Sequence, residues 1–220
     1  MKIYAHAGIA AKHPANTMAA FREALVVDCD GIELDIHCSS DGVPVTTHDV
    51  TLERLTNGSG LVVEHSVDQL AALDAGNGEG VPRLEDVFDL VQDKRHFDLE
   101  IKAKHCEQAV LDLLLRYPKV RAAISSFDWE VLRNIRAMAP DFELWVLTST
   151  VSDDAIATAK ELGATMLAVD HPALSVSSMA KAREAGLEVM AWTVNTNKEA
   201  DRLRKLGVAA LCTDDPDGVR

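Results

Sequence analysis

The last third of the chain repeats one pattern, first seen in SDDAIATAKELGATMLAV at residues 152–169. Ser152 precedes a predicted helix that ends at Gly163, and Thr165–Val169 is the apolar strand that follows. A serine hydroxyl can accept hydrogen bonds from the free N–H groups of a first helical turn, and glycine tolerates the left-handed conformation that ends many helices. The stretch therefore predicts a helix followed by a buried strand.

Two more units of the same kind follow. Each has a polar residue before the helix, a glycine after it and an apolar strand: Ser177, Gly186 and Glu188–Val194, then Asn197, Gly207 and Val208–Thr213. The closing glycines of the three units are 23 and 21 residues apart. Apolar strands that alternate with amphipathic helices are typical of a parallel sheet covered by helices, and the regular spacing favours a closed barrel.

Five earlier stretches bring the number of predicted barrel strands to eight: Lys2–Ala5, Ile32–Ile36, Asp98–Ile101, Ala122–Ser125 and Glu143–Leu147. Eight parallel strands with helices between them define the TIM barrel. The predicted fold class is therefore α/β, a TIM (β/α)8 barrel, with residues 1–220 as a single domain.

A ninth strand-like stretch, Val43–Thr47, follows Asp41 and Gly42, a pair that is strongly favoured in hairpin turns. We predict an antiparallel hairpin arm that rises from the second strand. If the turn centres on Asp41-Gly42, Asp35 lies opposite His48 across the arm.

The residues between this arm and the next barrel strand, about 50–97, are too many for a plain loop. Two helical patterns lie within them, at Val67–Leu73 and Leu84–Val91. We therefore predict a small helical insertion on the rim of the barrel.

The composition excludes some classes of function. The formal net charge is −13 at pH 7, whereas nucleic-acid partners require a basic face. An acidic protein that binds a phosphate needs a metal ion or a local group of cations. No apolar run is long enough to span a bilayer and no leader pattern follows Met1, so we predict a cytoplasmic location without stable membrane insertion. The four cysteines have neither zinc-site nor disulfide spacing: Cys29, Cys38, Cys106 and Cys212.

Catalytic groups of TIM barrels lie at the carboxyl ends of the strands. Six polar residues fall at such ends or beside them: His6, Glu33, Asp35, His48, Glu100 and Lys102. Residues two apart on a strand share a face, so the three carboxylates are expected to converge and to repel one another unless a cation lies between them. Mg²⁺ or Ca²⁺ suits such oxygen ligands. Two histidines beside a metal suit acid–base chemistry at phosphorus, although an ion network without a catalytic role gives the same pattern.

The chain also resembles the glycerophosphodiester phosphodiesterases. The resemblance covers nearly the whole chain through an ordered set of short motifs: Ala5-His6-Ala7-Gly8, Pro14-Ala15-Asn16-Thr17, Ile32-Glu33-Leu34-Asp35, His48-Asp49, Val81-Pro82-Arg83-Leu84-Glu85, Glu100-Ile101-Lys102, Ser125-Ser126-Phe127, Trp192-Thr193-Val194-Asn195 and the segment from Gly207 to Pro216. Any one of these motifs is weak, but their order along the chain is specific.

The resemblance implies a TIM barrel with a small insertion that hydrolyses glycerophosphodiesters to glycerol 3-phosphate and an alcohol. It implies that His6 and His48 form the acid–base pair, and that Lys102 helps to bind the phosphate. It also implies a metal site formed by Glu33, Asp35 and Glu100. The expected partner is a small phosphodiester, and the oligomeric state is left open.

Two aromatic residues near strand ends are further candidates. Phe127 and Trp192 are expected either to line the pocket for the glycerol or alcohol moiety or to pack in the core. His37 is expected to be a surface residue of the arm.

Two positions depart from the family pattern. The family usually has Arg where this chain has Ala7 and Glu where it has Ala15. An arginine can hold a phosphate through two hydrogen bonds, which alanine cannot do. Lys12 or His13 in the same loop is a candidate replacement for the missing cation. The departures leave two alternatives open, a phosphodiesterase with another substrate and a catalytically impaired barrel that binds a ligand.

Overall fold

Eight parallel strands close into a barrel in a computed structural model that describes residues 1–220. The strands, numbered with the one strand outside the barrel, are β1 (Lys2–Ala5), β2 (Gly31–Cys38), β3 (Pro44–Thr46), β4 (His96–Ile101), β5 (Arg121–Ser126), β6 (Leu144–Thr148), β7 (Met166–Asp170), β8 (Glu188–Trp192) and β9 (Ala210–Thr213). Their order is β1-β9-β8-β7-β6-β5-β4-β2, and pairing of β1 with β2 closes the ring. β3 pairs antiparallel with β2 outside the ring. The predicted TIM barrel with a hairpin arm is confirmed.

The helices lie between the strands. They are α1 (Met18–Ala24), α2 (Val67–Ala71), α3 (Leu84–Val91), α4 (Glu107–Arg116), α5 (Trp129–Met138), α6 (Asp153–Leu162), α7 (Val176–Glu184) and α8 (Asn197–Leu206). Most of the core is one cluster of 48 buried residues. A smaller cluster of nine buried residues includes Tyr4 and Trp145, whose rings meet edge to face. No helix is both long and apolar enough to cross a membrane.

The ends of the last three helices test the predicted capping residues. α6 has the predicted cap, because Ser152 accepts a hydrogen bond from the N–H of Ala155 and Gly163 ends the helix at φ +59°. For α7 the predicted cap at Ser177 is wrong. Ser175 is the extended residue whose hydroxyl accepts from the N–H of Ser178, so Ser177 lies inside the first turn.

α8 shows a similar shift. The N-cap is Thr196, whose hydroxyl accepts from the N–H of Glu199, and the predicted cap Asn197 is the first helical residue. Gly207 ends this helix in the left-handed conformation, as predicted. Two adjacent polar residues can each cap a helix, and only the backbone conformation decides which one does.

The register of the arm differs by one residue from the prediction. Ile36 pairs with Thr46, and the N–H of Thr47 donates to the carbonyl of Asp35 at 3.1 Å, so Asp35 lies opposite Thr47 rather than His48. The cause is the length of the turn. The N–H of Ser39 donates to the carbonyl of Val43 at 3.0 Å, which leaves a loop of three residues. Gly42 occupies its last position at φ +76°, as three-residue hairpin loops require.

The segment between β3 and β4 carries the two predicted helices. α3 has the predicted bounds, and α2 ends at Ala71 rather than at Leu73. A separate cluster of six buried residues holds this region together: Val45, Leu52, Val62, Val67, Leu70 and Val81. Because Val45 belongs to β3, the cluster joins the inserted segment to the arm.

Candidate active site

Three buried carboxylates meet at the carboxyl ends of β2 and β4. Glu33 and Asp35 are two residues apart on β2, and Asp35 is the register partner of Glu100 on β4. One ligand oxygen from each of the three lies within 4.8 Å of the others. The alternation of side chains along a strand therefore brings together the residues predicted to hold a metal.

Lys102 is the cation closest to these carboxylates. Its Nζ atom lies 2.9 Å from Oε1 of Glu100 and 3.4 Å from Oδ1 of Asp35. Burial lowers the pKa of Lys102, but the charges of Asp35 and Glu100 outweigh burial and raise it above its usual value. One ammonium group cannot neutralise three carboxylates.

The excess negative charge appears in the pKa values of the carboxylates. Burial and the charge of Asp35 hold the pKa of Glu33 well above its ordinary value and also raise that of Glu100. A divalent cation between the oxygens removes this repulsion. An all-oxygen, anionic set of donors is the chemistry that Mg²⁺ and Ca²⁺ prefer, so the residues present fit such an ion.

His6 lies beside the carboxylates at the end of β1. Its Nδ1 atom is 2.6 Å from Oδ1 of Asp214, and its Nε2 atom is 3.9 Å from Oε2 of Glu33. Burial lowers the pKa of His6, but the hydrogen bond to Asp214 and the charge of Glu33 outweigh burial and raise the pKa to about 9.

His48 reaches the same cavity from the end of the arm. Its Nδ1 atom is 2.7 Å from Oδ1 of Asp49, and its Nε2 atom is 3.4 Å from Nζ of Lys102. Arg54 binds both oxygens of Asp49 and, as the largest cause, lowers the pKa of Asp49 to about 2. His48 therefore lines the cavity although it does not pair with Asp35.

The prediction for His37 is wrong. His37 is buried, and its Nε2 atom lies 3.2 Å from the carbonyl oxygen of His48. Residues two apart share a face of a strand, so His37 is on the same face of β2 as Asp35. The chain at His48 covers it there, and His37 supports the backbone of that residue.

These side chains surround a cavity of about 210 Å³. The lining includes all six predicted polar residues: His6, Glu33, Asp35, His48, Glu100 and Lys102. Its apolar residues are Phe127, Leu147, Met190, Trp192 and Cys212. The rings of Phe127 and Trp192 are nearly perpendicular, with centroids 5.5 Å apart. Phe127 is 46% exposed, which places it at the rim. Both aromatic candidates line the cavity that contains the predicted polar residues.

Asn16 and Asp98 are among the polar residues of the site that were not predicted from the sequence. The amide of Asn16 donates to Oδ2 of Asp35 at 2.8 Å and accepts from the N–H of Asp35 at 3.2 Å. Asp98 lines the cavity and accepts from the hydroxyl of Ser125 at 2.6 Å, and burial raises its pKa to about 7. Asp98 lies two residues before Glu100, so the same-face rule was a signal for it.

Ala7 and Ala15 occupy different surroundings. Ala7 is buried with φ +48°, and its N–H donates to Oε2 of Glu33 at 2.9 Å. Ala15 lines a separate surface depression together with Arg54. Neither Lys12 nor His13 is among the residues that line the cavity, and Lys12 forms an ion pair with Glu23 at 2.8 Å.

Known proteins resemble this chain over nearly its whole length. Residues 6–218 match the family model described as the glycerophosphoryl diester phosphodiesterase family. A glycerophosphodiester phosphodiesterase of Caldanaerobacter subterraneus is 31% identical over 98% of this chain and 94% of its own length. One of Bacillus altitudinis is 30% identical over 98% of this chain and 95% of its own length.

Solved structures show the same fold. A phosphodiesterase of Oleispira antarctica in complex with the product sn-glycerol-3-phosphate has a TM-score of 0.94 at 26% identity, covering 100% of this chain and 95% of its own. A glycerophosphodiester phosphodiesterase of Agrobacterium tumefaciens has a TM-score of 0.87 at 26% identity. The match covers 100% of this chain and 98% of that one. Because the family model and the relatives match nearly the whole chain, this chain belongs to the glycerophosphoryl diester phosphodiesterase family.

Proposed function

We propose that the chain hydrolyses glycerophosphodiesters to glycerol 3-phosphate and an alcohol. The observation that carries the proposal is the convergence of three carboxylates, two histidines and one lysine on a single cavity in a chain of this family. The relatives named as glycerophosphodiester phosphodiesterases and the neighbour that binds sn-glycerol-3-phosphate support the choice of substrate.

A divalent metal is part of the proposal, with Glu33, Asp35 and Glu100 as its ligands and Mg²⁺ or Ca²⁺ as its identity. When bound, such an ion polarises a phosphoryl oxygen and stabilises negative charge in the transition state. Asn16 keeps Asp35 in place through its two hydrogen bonds. Lys102, which lies against two of these carboxylates, supplies positive charge for the phosphate.

The hydrogen bonds of the two histidines suggest their roles. The ammonium group of Lys102 can only donate, so Nε2 of His48 is the acceptor in their contact. We assign His48 as the base that removes the proton from the attacking oxygen, which belongs to water or to the neighbouring glycerol hydroxyl. Nε2 of His6 faces the carboxylate of Glu33, which suits an N–H donor. We assign His6 as the acid that protonates the leaving oxygen as the P–O bond breaks.

The apolar side of the cavity is proposed to receive the carbon atoms of the substrate. The rings of Phe127 and Trp192 meet nearly at a right angle there and offer apolar surface to carbon atoms of a substrate. We therefore assign them to the glycerol or alcohol moiety. A cytoplasmic location is proposed as well, because all four cysteines are free thiols and disulfides are rare in that compartment.

Ala7 supports a second candidate, a barrel that binds the same ligand with little turnover. The decisive experiment incubates the purified protein with glycerophosphocholine or glycerophosphoethanolamine and Mg²⁺ or Ca²⁺, and then repeats the assay with EDTA. We expect release of glycerol 3-phosphate that EDTA stops and that His48→Ala abolishes, while the exposed control His105→Ala has no effect. Thermal stabilisation by the diester without release indicates the second candidate. If the diester is not hydrolysed and does not stabilise the protein, both candidates are contradicted.

A further inference from the structure

The side chain of Asp214 fixes the ring of His6. Oδ1 of Asp214 lies 2.6 Å from Nδ1 of His6, the shorter of the two contacts that this imidazole makes with carboxylates. With Nδ1 occupied in this way, Nε2 is the ring nitrogen that faces the carboxylate cluster. The orientation of His6 is therefore set from outside the proposed metal site.

Asn195 in turn fixes Asp214. The amide nitrogen of Asn195 donates to Oδ2 of Asp214 at 2.5 Å, and its amide oxygen accepts from the N–H of Asp214 at 2.9 Å. The hydroxyl of Thr213 donates to the same amide oxygen at 3.2 Å, which leaves one orientation for the amide. Both oxygens of Asp214 have a hydrogen-bond partner, and Asp214 is not among the three carboxylates that could share a cation.

We infer that Asp214, held by Asn195, is the positioning residue of His6 in the reaction proposed above. It keeps Nδ1 protonated and leaves Nε2 as the atom that exchanges a proton with the substrate. The proton on Nε2 moves to the leaving oxygen as the P–O bond breaks, and His6 is then neutral with its remaining proton on Nδ1. Asp214 stays ionised throughout and never contacts the substrate.

The variant Asp214→Asn tests the inference because it keeps the size of the side chain and removes its charge. We expect kcat to fall by about 10²-fold or more, as loss of a tautomer-fixing carboxylate does elsewhere, with KM changed less than about twofold. The control Asp217→Asn makes the same change of charge at an exposed residue three positions on, and we expect kcat to be unchanged. Asn195→Ala is a second variant that leaves Asp214 in place, and we expect a smaller loss of kcat.

A double-mutant cycle separates positioning from a general structural role. The assay uses glycerophosphocholine, whose poor leaving group needs the acid, at an enzyme concentration that keeps the His6→Ala variant measurable. We expect Asp214→Asn to have no further effect on kcat in that background. A loss as large as in the wild-type background, or a rise of KM with unchanged kcat, overturns the inference.

A readout that needs no activity distinguishes this inference from the proposed function. In ¹⁵N-histidine NMR spectra, we expect downfield-shifted Nδ1-bound protons for the two histidines that pair with carboxylates, and the signal of His6 is assigned by its absence in His6→Ala. We expect Asp214→Asn to remove that shift while the thermal midpoint stays close to that of the wild type. An unchanged Nδ1 signal in Asp214→Asn overturns the inference, even in a protein that releases no glycerol 3-phosphate.

Discussion

Nζ of Lys102 lies 3.4 Å from Nε2 of His48 and 2.9 Å from Oε1 of Glu100, so one ammonium group joins a histidine of the arm to a carboxylate of the barrel. Its removal affects both. We expect Lys102→Met to lower kcat/KM by about 10²–10³-fold, because a charge aimed at the transition state is lost. The matched control is Lys104→Met, since Lys104 is exposed and pairs with Asp128 at 3.2 Å. Equal activities of the two variants would show that Lys102 has no catalytic importance.

If Glu33 binds a metal ion, the variant Glu33→Gln should affect stability differently without metal and with metal. Burial raises the pKa of Glu33, so at neutral pH its ionised form costs folding free energy when no cation is bound. We expect Glu33→Gln to raise the thermal midpoint of the EDTA-treated protein by a few degrees, since about 1 kcal/mol shifts a chain of this size by roughly 2–4 °C.

Addition of Mg²⁺ or Ca²⁺ completes this test. The wild type should gain stability with metal concentration, because a ligand that binds only the folded state stabilises it. Glu33→Gln should gain little. The control Glu184→Gln, an exposed residue, should behave as the wild type in both conditions. Equal metal-induced stabilisation of wild type and Glu33→Gln would refute the assignment of Glu33 as a ligand.

The departures at Ala7 and Ala15 predict a non-additive gain of activity. The carbonyl of Ala7 accepts from the N–H of Asn16 at 2.9 Å, so both alanines lie in the loop between β1 and α1, in segments that this hydrogen bond joins. We expect Ala7→Arg and Ala15→Glu to give little gain singly, and the double variant to give a clear gain in kcat/KM, because each new charge needs the other. Wild-type turnover that is already rapid, with no gain in the double variant, would mean that another residue does the work of the missing arginine.

The pH dependence of stability is expected to involve His96 at the opposite end of the barrel. Burial lowers its pKa, and its Nδ1 atom lies 3.0 Å from the hydroxyl of Tyr4. A histidine with a lowered folded-state pKa contributes stability above its unfolded pKa, about 6.5, and loses it as the pH falls. Denaturant unfolding from pH 7 to 5 should therefore show a steeper loss for the wild type than for His96→Gln.

The control for this experiment is His105→Asn, which removes a histidine from an exposed, left-handed position that asparagine tolerates. We expect its pH dependence to follow that of the wild type. Identical slopes for wild type and His96→Gln would contradict the prediction.

Much of the fold follows from local patterns in the sequence. The alternation of capped helices and apolar strands predicted eight parallel strands, and α3 has the predicted bounds. The wrong caps at Ser177 and Asn197 have one cause: polar residues cluster before helices, and the backbone rather than the residue type selects one of them. The register of the arm was off by one residue, because Asp41-Gly42 fits both two-residue and three-residue loops.

The site was also predicted only in part. The two-residue spacing on β2 and β4 was enough to predict that Glu33, Asp35 and Glu100 converge, and the structure brings them together. The partner of His6 could not be predicted, because Asp214 lies 208 residues away in the sequence and local sequence patterns do not relate residues that far apart. The contact of Arg54 with Asp49 was not predicted either, because it depends on the fold of the inserted segment.

The pairing of β1 with β9 has a consequence for the order of assembly. Because His6 and Asp214 meet only when the first and last strands join, a nascent chain on the ribosome carries the imidazole long before its carboxylate has been synthesised. Contacts this far apart in sequence are slow to form, since the chain between them loses much entropy when its ends meet. The complete arrangement around His6 therefore exists only after barrel closure, and appearance of enzymatic activity during refolding is expected to report closure rather than formation of secondary structure.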